Sequence, residues 1–303
     1  MSTRSDGRSD ERIHYVAVCV AVFTWGLGPL FVRAIDASSL TIVFWRLWLA
    51  TPIAVLFARV VRRPLTLPIL RRCVIGGTTF ACSILFGFAS FQQTSVANAS
   101  LIGSMTPIPV LLVAGRMFGE RVTPRSLAFA GLSIVGVAAV VIGAGADSGA
   151  SLQGDLLALA GLVTFTAYFL EIKRQRMYGI AVPALLAGVM LVAALSVTPF
   201  ALLLSDDLAT LDHWDWLWLS ALVLLPGTLG HGLMAWAHAH VDVTISSLLT
   251  LANPVVSTVG AWLVYSQSLT GVQIMGAVMV IGGLVGVVAA APRPAAELAI
   301  DTT

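Results

Sequence analysis

The sequence predicts an all-α integral membrane protein: ten transmembrane helices in two inverted five-helix repeats. Three observations carry this. Ten predominantly apolar runs, each near the roughly 20 residues that a span requires, follow one another with short polar links. Basic residues gather in alternate links. An offset of 147 residues lays the end of the first half over the end of the second, as Pro107 on Pro254 shows.

The composition excludes a soluble domain. Of 303 residues, 58% are hydrophobic and 11% charged, against about 45–50% and 25% in soluble chains. A net charge of +2 gives no footing for a nucleic-acid partner. Cys19, Cys73 and Cys82 lie in or beside apolar runs without a CxxC or His-spaced pattern, and read as small hydrophobes. No disulfide, metal site or cofactor is expected. The first apolar run lacks a small-residue cleavage site, so it is read as a retained span.

The spans are expected at 13–32, 39–60, 73–91, 97–115, 124–144, 155–170, 182–204, 216–237, 243–265 and 271–291. They divide the chain into a tail (1–12), a first repeat (13–144), a second repeat (155–291) and a second tail (292–303). With the N-terminus cytoplasmic, 15 of the 17 basic residues fall inside; Arg33 lies at an outer end and Arg46 within a span. The positive-inside rule then orients the chain. Asp36, Asp147, Asp155, Asp206, Asp207, Asp212 and Asp215 fall outside. An even number of spans returns both termini to the cytoplasm of a cell-membrane protein.

The 147-residue offset also places Ser100-Leu101 on Ser247-Leu248, Glu120 on Gln267, Thr123 on Thr270, Ala130 on Ala277, Ile134 on Ile281 and Gly136 on Gly283. Five spans per half is odd, so the halves face opposite ways. Inverted repeats of this kind recur in secondary transporters, whose sites lie at mid-bilayer in interrupted helices. Residues expected there are Trp25 and Gly26, within Trp25-Gly26-Leu27-Gly28-Pro29, then Pro107, Tyr168, Asn253 and Pro254. Each proline removes a backbone donor and loosens the preceding turn. It either opens a substrate cavity or merely bends its helix.

Arg46 stands about 9 Å below the outer edge of its span. A charge at that depth is costly and by default functional, although a long side chain can snorkel. His231, among Gly227, Gly230 and Gly232, has two readings: a proton relay or polar glue between helices. Glu171 is expected to neutralise Lys173 and Arg174. Gly115-x-x-x-Gly119 and Gly282-x-x-x-Gly286 permit close helix packing. No GxSxG, HExxH or P-loop appears, and no catalytic residue is assigned.

These residues resemble the EamA branch of the drug/metabolite transporter superfamily, from Ile13 to Ala291. The likeness rests on Trp25-Gly26, Arg46, the Asn98-Ala99-Ser100 to Pro107 run and Gly119-Glu120. In the second half it rests on Ser246-Ser247, Pro254 and Gln267-x-x-Thr270-x-x-Gln273-x-x-Gly276. The chain departs from the family pattern at Gln267, at Ser126 with Phe129, and at Thr164-Phe165. The resemblance implies a gradient-driven exporter of amino-acid-like metabolites or drugs, acting as a monomer or homodimer. Its partners would be a small-molecule substrate, the lipid bilayer and protons as a candidate coupling ion. The rival reading is a polytopic membrane enzyme acting on a lipid-linked substrate, for which His238, His240 and Asp242 form the nearest polar cluster.

Overall fold

A computed structural model describes residues 6–94, 99, 102–143, 151–266 and 269–290, with side chains from Arg12 onward, Phe91 and Gln92 excepted. Asn98, Ser100, Leu101, Asp147, Gln267, Arg293 and the extreme tails lie outside the described residues. In chain order the helices are α1 (Asp6–Arg33), α2 (Ser39–Val60), α3 (Leu67–Gln93), α4 (Pro107–Phe118), α5 (Pro124–Gly143), α6 (Leu152–Met177) and α7 (Val182–Leu204). Span eight comprises α8 (His213–Leu222), a π-helical stretch (Val223–Gly230) and α9 (His231–Ala237). Span nine comprises α10 (Val243–Leu249), a 3₁₀ turn (Thr250–Ala252) and α11 (Asn253–Tyr265), and α12 (Gly271–Ala289) is span ten. Among the described residues nine segments are long and apolar enough to cross a membrane, and Pro107–Phe118 is a shorter apolar helix. The result is an all-α membrane protein with ten helical spans.

Helix limits follow local chemistry. Ser38 caps α2 by accepting from the Thr41 amide, Ser151 caps α6 through the Gly154 amide, and Thr270 with Gln273 forms a capping box on α12. These side chains satisfy donors that a helix start leaves unpaired. α6 runs to Met177, past the expected end at 170, because Lys173, Arg174 and Arg176 continue its last turns; cations are favoured at a helix C-terminus. Leu56, Leu112, Ile142, Leu203 and Val278 point outward and exposed. Such a surface suits hydrocarbon and not water.

The halves pack as a repeat should. α2 lies on α7 and α5 on α12, while α3 against α6 is matched by span eight against α1. At the α5–α12 crossing the match reaches single atoms. Thr123 Oγ1 donates to the Ala290 carbonyl at 3.1 Å, and Thr270 Oγ1 donates to the Gly143 carbonyl at 3.1 Å. Ser133 Oγ donates to Val280 O at 3.3 Å, across a separation of 147 residues. Each helix start therefore meets the other helix's end, so the two run antiparallel. Close approach rests on Gly136 and Gly276: a Cβ on Gly136 would stand 2.7 Å from the Gly276 carbonyl oxygen. Of the glycines singled out for packing, Gly286 lies under the Phe129 ring. Gly119 instead ends α4 at φ +70°, a left-handed cap for which glycine is suited.

Two apolar cores form inside the bundle. One joins α1, α4, α5, α12 and span nine, and contains Val18, Val110, Val137, Leu248 and Val280. The other joins α2, α3, α6 and α7, and contains Leu47, Phe80, Ile172 and Leu185. Phe165 packs against both. The seam between the cores is where polar and aromatic side chains gather.

Candidate substrate site

Four spans meet at that seam. The Tyr168 hydroxyl of α6 lies 2.9 Å from His231 Nδ1 at the start of α9, and both residues are buried. The His231 ring packs 4.8 Å from Trp25 of α1 and 4.8 Å from Phe80 of α3. Phe165 stands edge-on to Trp25 at 6.1 Å. Such tilted and edge-on aromatic pairs each add about 0.5–1.5 kcal/mol beyond area burial. The cluster is packed shut, so a ligand reaching it must part these rings.

Backbone irregularity surrounds the cluster. Pro226 and Gly227 lie in the π stretch, where Thr228 Oγ1 donates to Val223 O five residues back. The Pro226 carbonyl accepts Trp25 Nε1 at 3.2 Å. A Cβ on Gly230 would come within 2.7 Å of that indole nitrogen, so glycine lets the tryptophan lie against span eight. π-helical turns inside α-helices are frequent at functional sites.

The matched prolines mark matched breaks. A turn at 104–106 precedes Pro107, which opens α4, and the 3₁₀ turn Thr250–Ala252 precedes Asn253-Pro254, which open α11. The first break shows tight three-residue bonds, Met105 N to Ile102 O and Ile108 N to Met105 O. Asn253 Oδ1 is buried with no hydrogen-bond partner among the described residues. Spans one and six differ from expectation. α1 continues as helix through Trp25-Gly26 and Pro29, and α6 through Tyr168. Gly26 is consumed by packing, since a Cβ there would strike Val256 at 2.5 Å and the Asn253 carbonyl at 3.2 Å.

Arg46 of α2 reaches toward the same seam. Its Nε stands 3.9 Å from the place a Cβ would take on Gly227, and its charge acts on Tyr168 and His231. The sequence residues thus sort clearly. Trp25, Tyr168, His231 and Arg46 converge, Gly26 lies beside Asn253, and Pro107 and Pro254 begin the two half-helices. Phe80, Phe165 and Pro226 belong to the same centre and were missed. Pro226-Gly227 inside an apolar run was the available signal.

Each end of the bundle is laced separately. At the basic end Glu120 accepts the Val243 and Thr244 amides at 2.7 and 2.9 Å. Burial raises the Glu120 pKa, while those two amides pull it back. Lys173 Nζ lies 3.9 Å from Glu120 and donates to Val241 O at 2.8 Å. Lys173, the one lysine of the sequence, therefore ties α6 to spans four and nine. Glu171 pairs with Arg174 at 3.4 Å and accepts from Gln175, not from Lys173. At the acidic end Asp207 accepts from Ser38 N, Ser38 Oγ, Thr41 Oγ1 and Ser205 Oγ. Burial opposes its charge, yet these bonds outweigh burial and hold the carboxyl well below its usual range.

The His238–His240–Asp242 group does not converge. His238 is buried edge-on to Phe169, whereas the His240 ring stacks on His14 at 3.8 Å.

Comparison with known proteins agrees with this architecture. The EamA-like transporter family matches the chain twice, over residues 12–142 and 152–289. A probable amino-acid metabolite efflux pump of Salmonella typhimurium is 26% identical over 290 residues, covering 89% of this chain and 92% of the relative. Its namesake in Escherichia coli is 25% identical over 283 residues, with 89% and 92% covered. An uncharacterized transporter of Archaeoglobus fulgidus is 23% identical over 270 residues, with 88% and 93% covered. A crystal structure 20% identical in sequence superposes with a TM-score of 0.78, covering 92% of this chain and 99% of that one, and so shares the fold. Two matches to one family, spanning nearly all of a ten-span bundle, make this chain a membrane transporter belonging to the EamA-like transporter family.

Proposed function

We propose that the protein is a secondary exporter that carries small amino-acid-like metabolites or drugs out across the cell membrane, with both termini cytoplasmic. The observation that carries the reading is the pair of broken helices. Pro107 and Pro254, related by the repeat, each lie at the start of a half-helix that follows a tight turn. Discontinuous helices at a repeat interface are how such transporters expose backbone to a substrate. The names of the bacterial relatives support an amino-acid metabolite as cargo. The arginine distribution supports the orientation. Separate lacing at the two ends, Asp207 at one and Glu120 with Lys173 at the other, suits alternating access because either set can release alone. Protons are the candidate coupling ion.

The test is counterflow in proteoliposomes. Vesicles preloaded with millimolar unlabelled amino acids should accumulate the matching labelled tracer transiently, and protein-free vesicles should not. Failure to accumulate any tracer across amino acids and lipophilic drugs would overturn the transport reading.

A further inference from the structure

We propose that Arg46 is the substrate's anion anchor, so that the cargo is a carboxylate-bearing molecule with an apolar or aromatic body; this rests on the export reading above. Arg46 carries an unbalanced charge. Among the described residues Arg46 makes no hydrogen bond and no ion pair, while Lys173 and Arg174 each pair with a glutamate. An arginine inside a span is costly, up to about 2.5–3.5 kcal/mol at the helix centre on insertion scales. Side chains of this kind face the bundle interior and normally find a partner there.

Among the described residues the acids are committed elsewhere. Asp207 is committed to Ser38, Thr41 and Ser205, and Asp215 accepts the Asp36 and Asp212 amides. Glu171 and Glu120 are bound at the basic end. Snorkelling toward the acidic end does not describe the side chain either. Its Nε lies against Gly227 of the π stretch, and its charge acts on Tyr168 and His231, which are buried.

A guanidinium is a planar fork matched to two carboxylate oxygens. Its charge acts on Tyr168 and His231, and the Trp25, Phe80 and Phe165 rings that pack around those two suit the flat apolar remainder of such an acid. A cation lacking a carboxylate would meet a fixed positive charge that no acid among the described residues pairs with. The site therefore selects acids over cationic amines.

The experiment uses purified full-length protein in detergent and four probes that share a phenyl body: phenylalanine, 3-phenylpropionate, phenylalanine amide and 2-phenylethylamine. Thermal shift and calorimetry should show the two acids binding at least tenfold more tightly than the amide and the amine. Arg46→Gln should weaken both acids at least tenfold, and Arg46→Lys should keep part of that affinity. Equal binding of amine and acid, absence of acid binding, or undiminished acid binding by monodisperse Arg46→Gln would each overturn the anchor. If Arg46→Gln does not stay monodisperse, the wild-type panel decides alone. Counterflow of the same probes separates the two claims. Acid binding without flux would remove the export reading and keep the anchor, whereas amine flux equal in wild type and Arg46→Gln would do the reverse.

Discussion

Thr123 and Thr270 form one bond twice: each donates its hydroxyl, at 3.1 Å, to the carbonyl that closes the opposite helix of the α5–α12 pair. The donors are separated by 147 residues and so are the acceptors, Gly143 and Ala290. The sequence repeat is thereby a repeat of contacts. Replacing either threonine by valine should lower stability by about 1–2 kcal/mol, through the lost cap and the lost bond. The two sites lie roughly 30 Å apart along the helices, so the double variant should show the sum. Unfolding in mild detergent measures all three. A double variant no worse than either single one would show that the ends are not independent.

The same crossing should reject side chains at its centre. Gly276→Leu must displace the Gly136 carbonyl and the Val140 amide, which would stand 2.6 and 2.8 Å from an added Cβ. Overpacking of this sort costs about 1–3 kcal/mol. Gly282→Leu, where nothing lies within 4 Å of a Cβ, should change the melting temperature little. Comparing the two melts checks the assignment.

Tyr168→Phe removes the hydroxyl that meets His231 Nδ1 and leaves a buried ring nitrogen unpaired. The expected loss is about 1–3 kcal/mol. His231→Gln should reduce flux and leave its pH dependence unchanged, because the ring is held by one hydrogen bond and by aromatic faces on three sides. Flux measured as pH is stepped decides. A flattened pH profile in this variant would make His231 the proton relay.

Asp207 predicts an acid-sensitive end. Its folded pKa is depressed below the ordinary value of 3.8, so its contribution is present above that pH and fades as pH falls below it. Asp207→Asn should be less stable than wild type at neutral pH, and the difference should shrink on acidification below about 4. Partial exposure keeps the effect small, since solvent screens surface charges. Chemical unfolding at pH 7 and pH 3.5 gives the comparison.

Orientation is open to direct labelling. A cysteine introduced at Asp206 should react with an impermeant maleimide added to whole cells, and one at Arg63 should react only after lysis. Labelling of Arg63→Cys from outside would reverse the topology argued from the basic residues.

Much of this molecule was legible in the chain alone. Apolar run length sets helices in a bilayer because a spanning backbone must satisfy its own hydrogen bonds. Among the described residues nine long helices therefore fall on nine of the runs, and a shorter one overlaps the remaining run. The breaks at Pro107 and Pro254 could be read because proline's missing donor acts locally. Local rules left α1 open, however, where Pro29 sits in unbroken helix. They also missed the π stretch at Val223–Gly230, which is coupled to Trp25 in a distant span. Which side chains converge was decided by tertiary packing. Phe80 and Phe165 look like any core aromatics until α3, α6 and α1 are brought together, and Lys173 looks like one more cytoplasmic base until it reaches Glu120. Apolar periodicity says that a face is buried but not against what. Partner choice depends on contacts between residues far apart in the chain, and those exist only once the ten spans have packed.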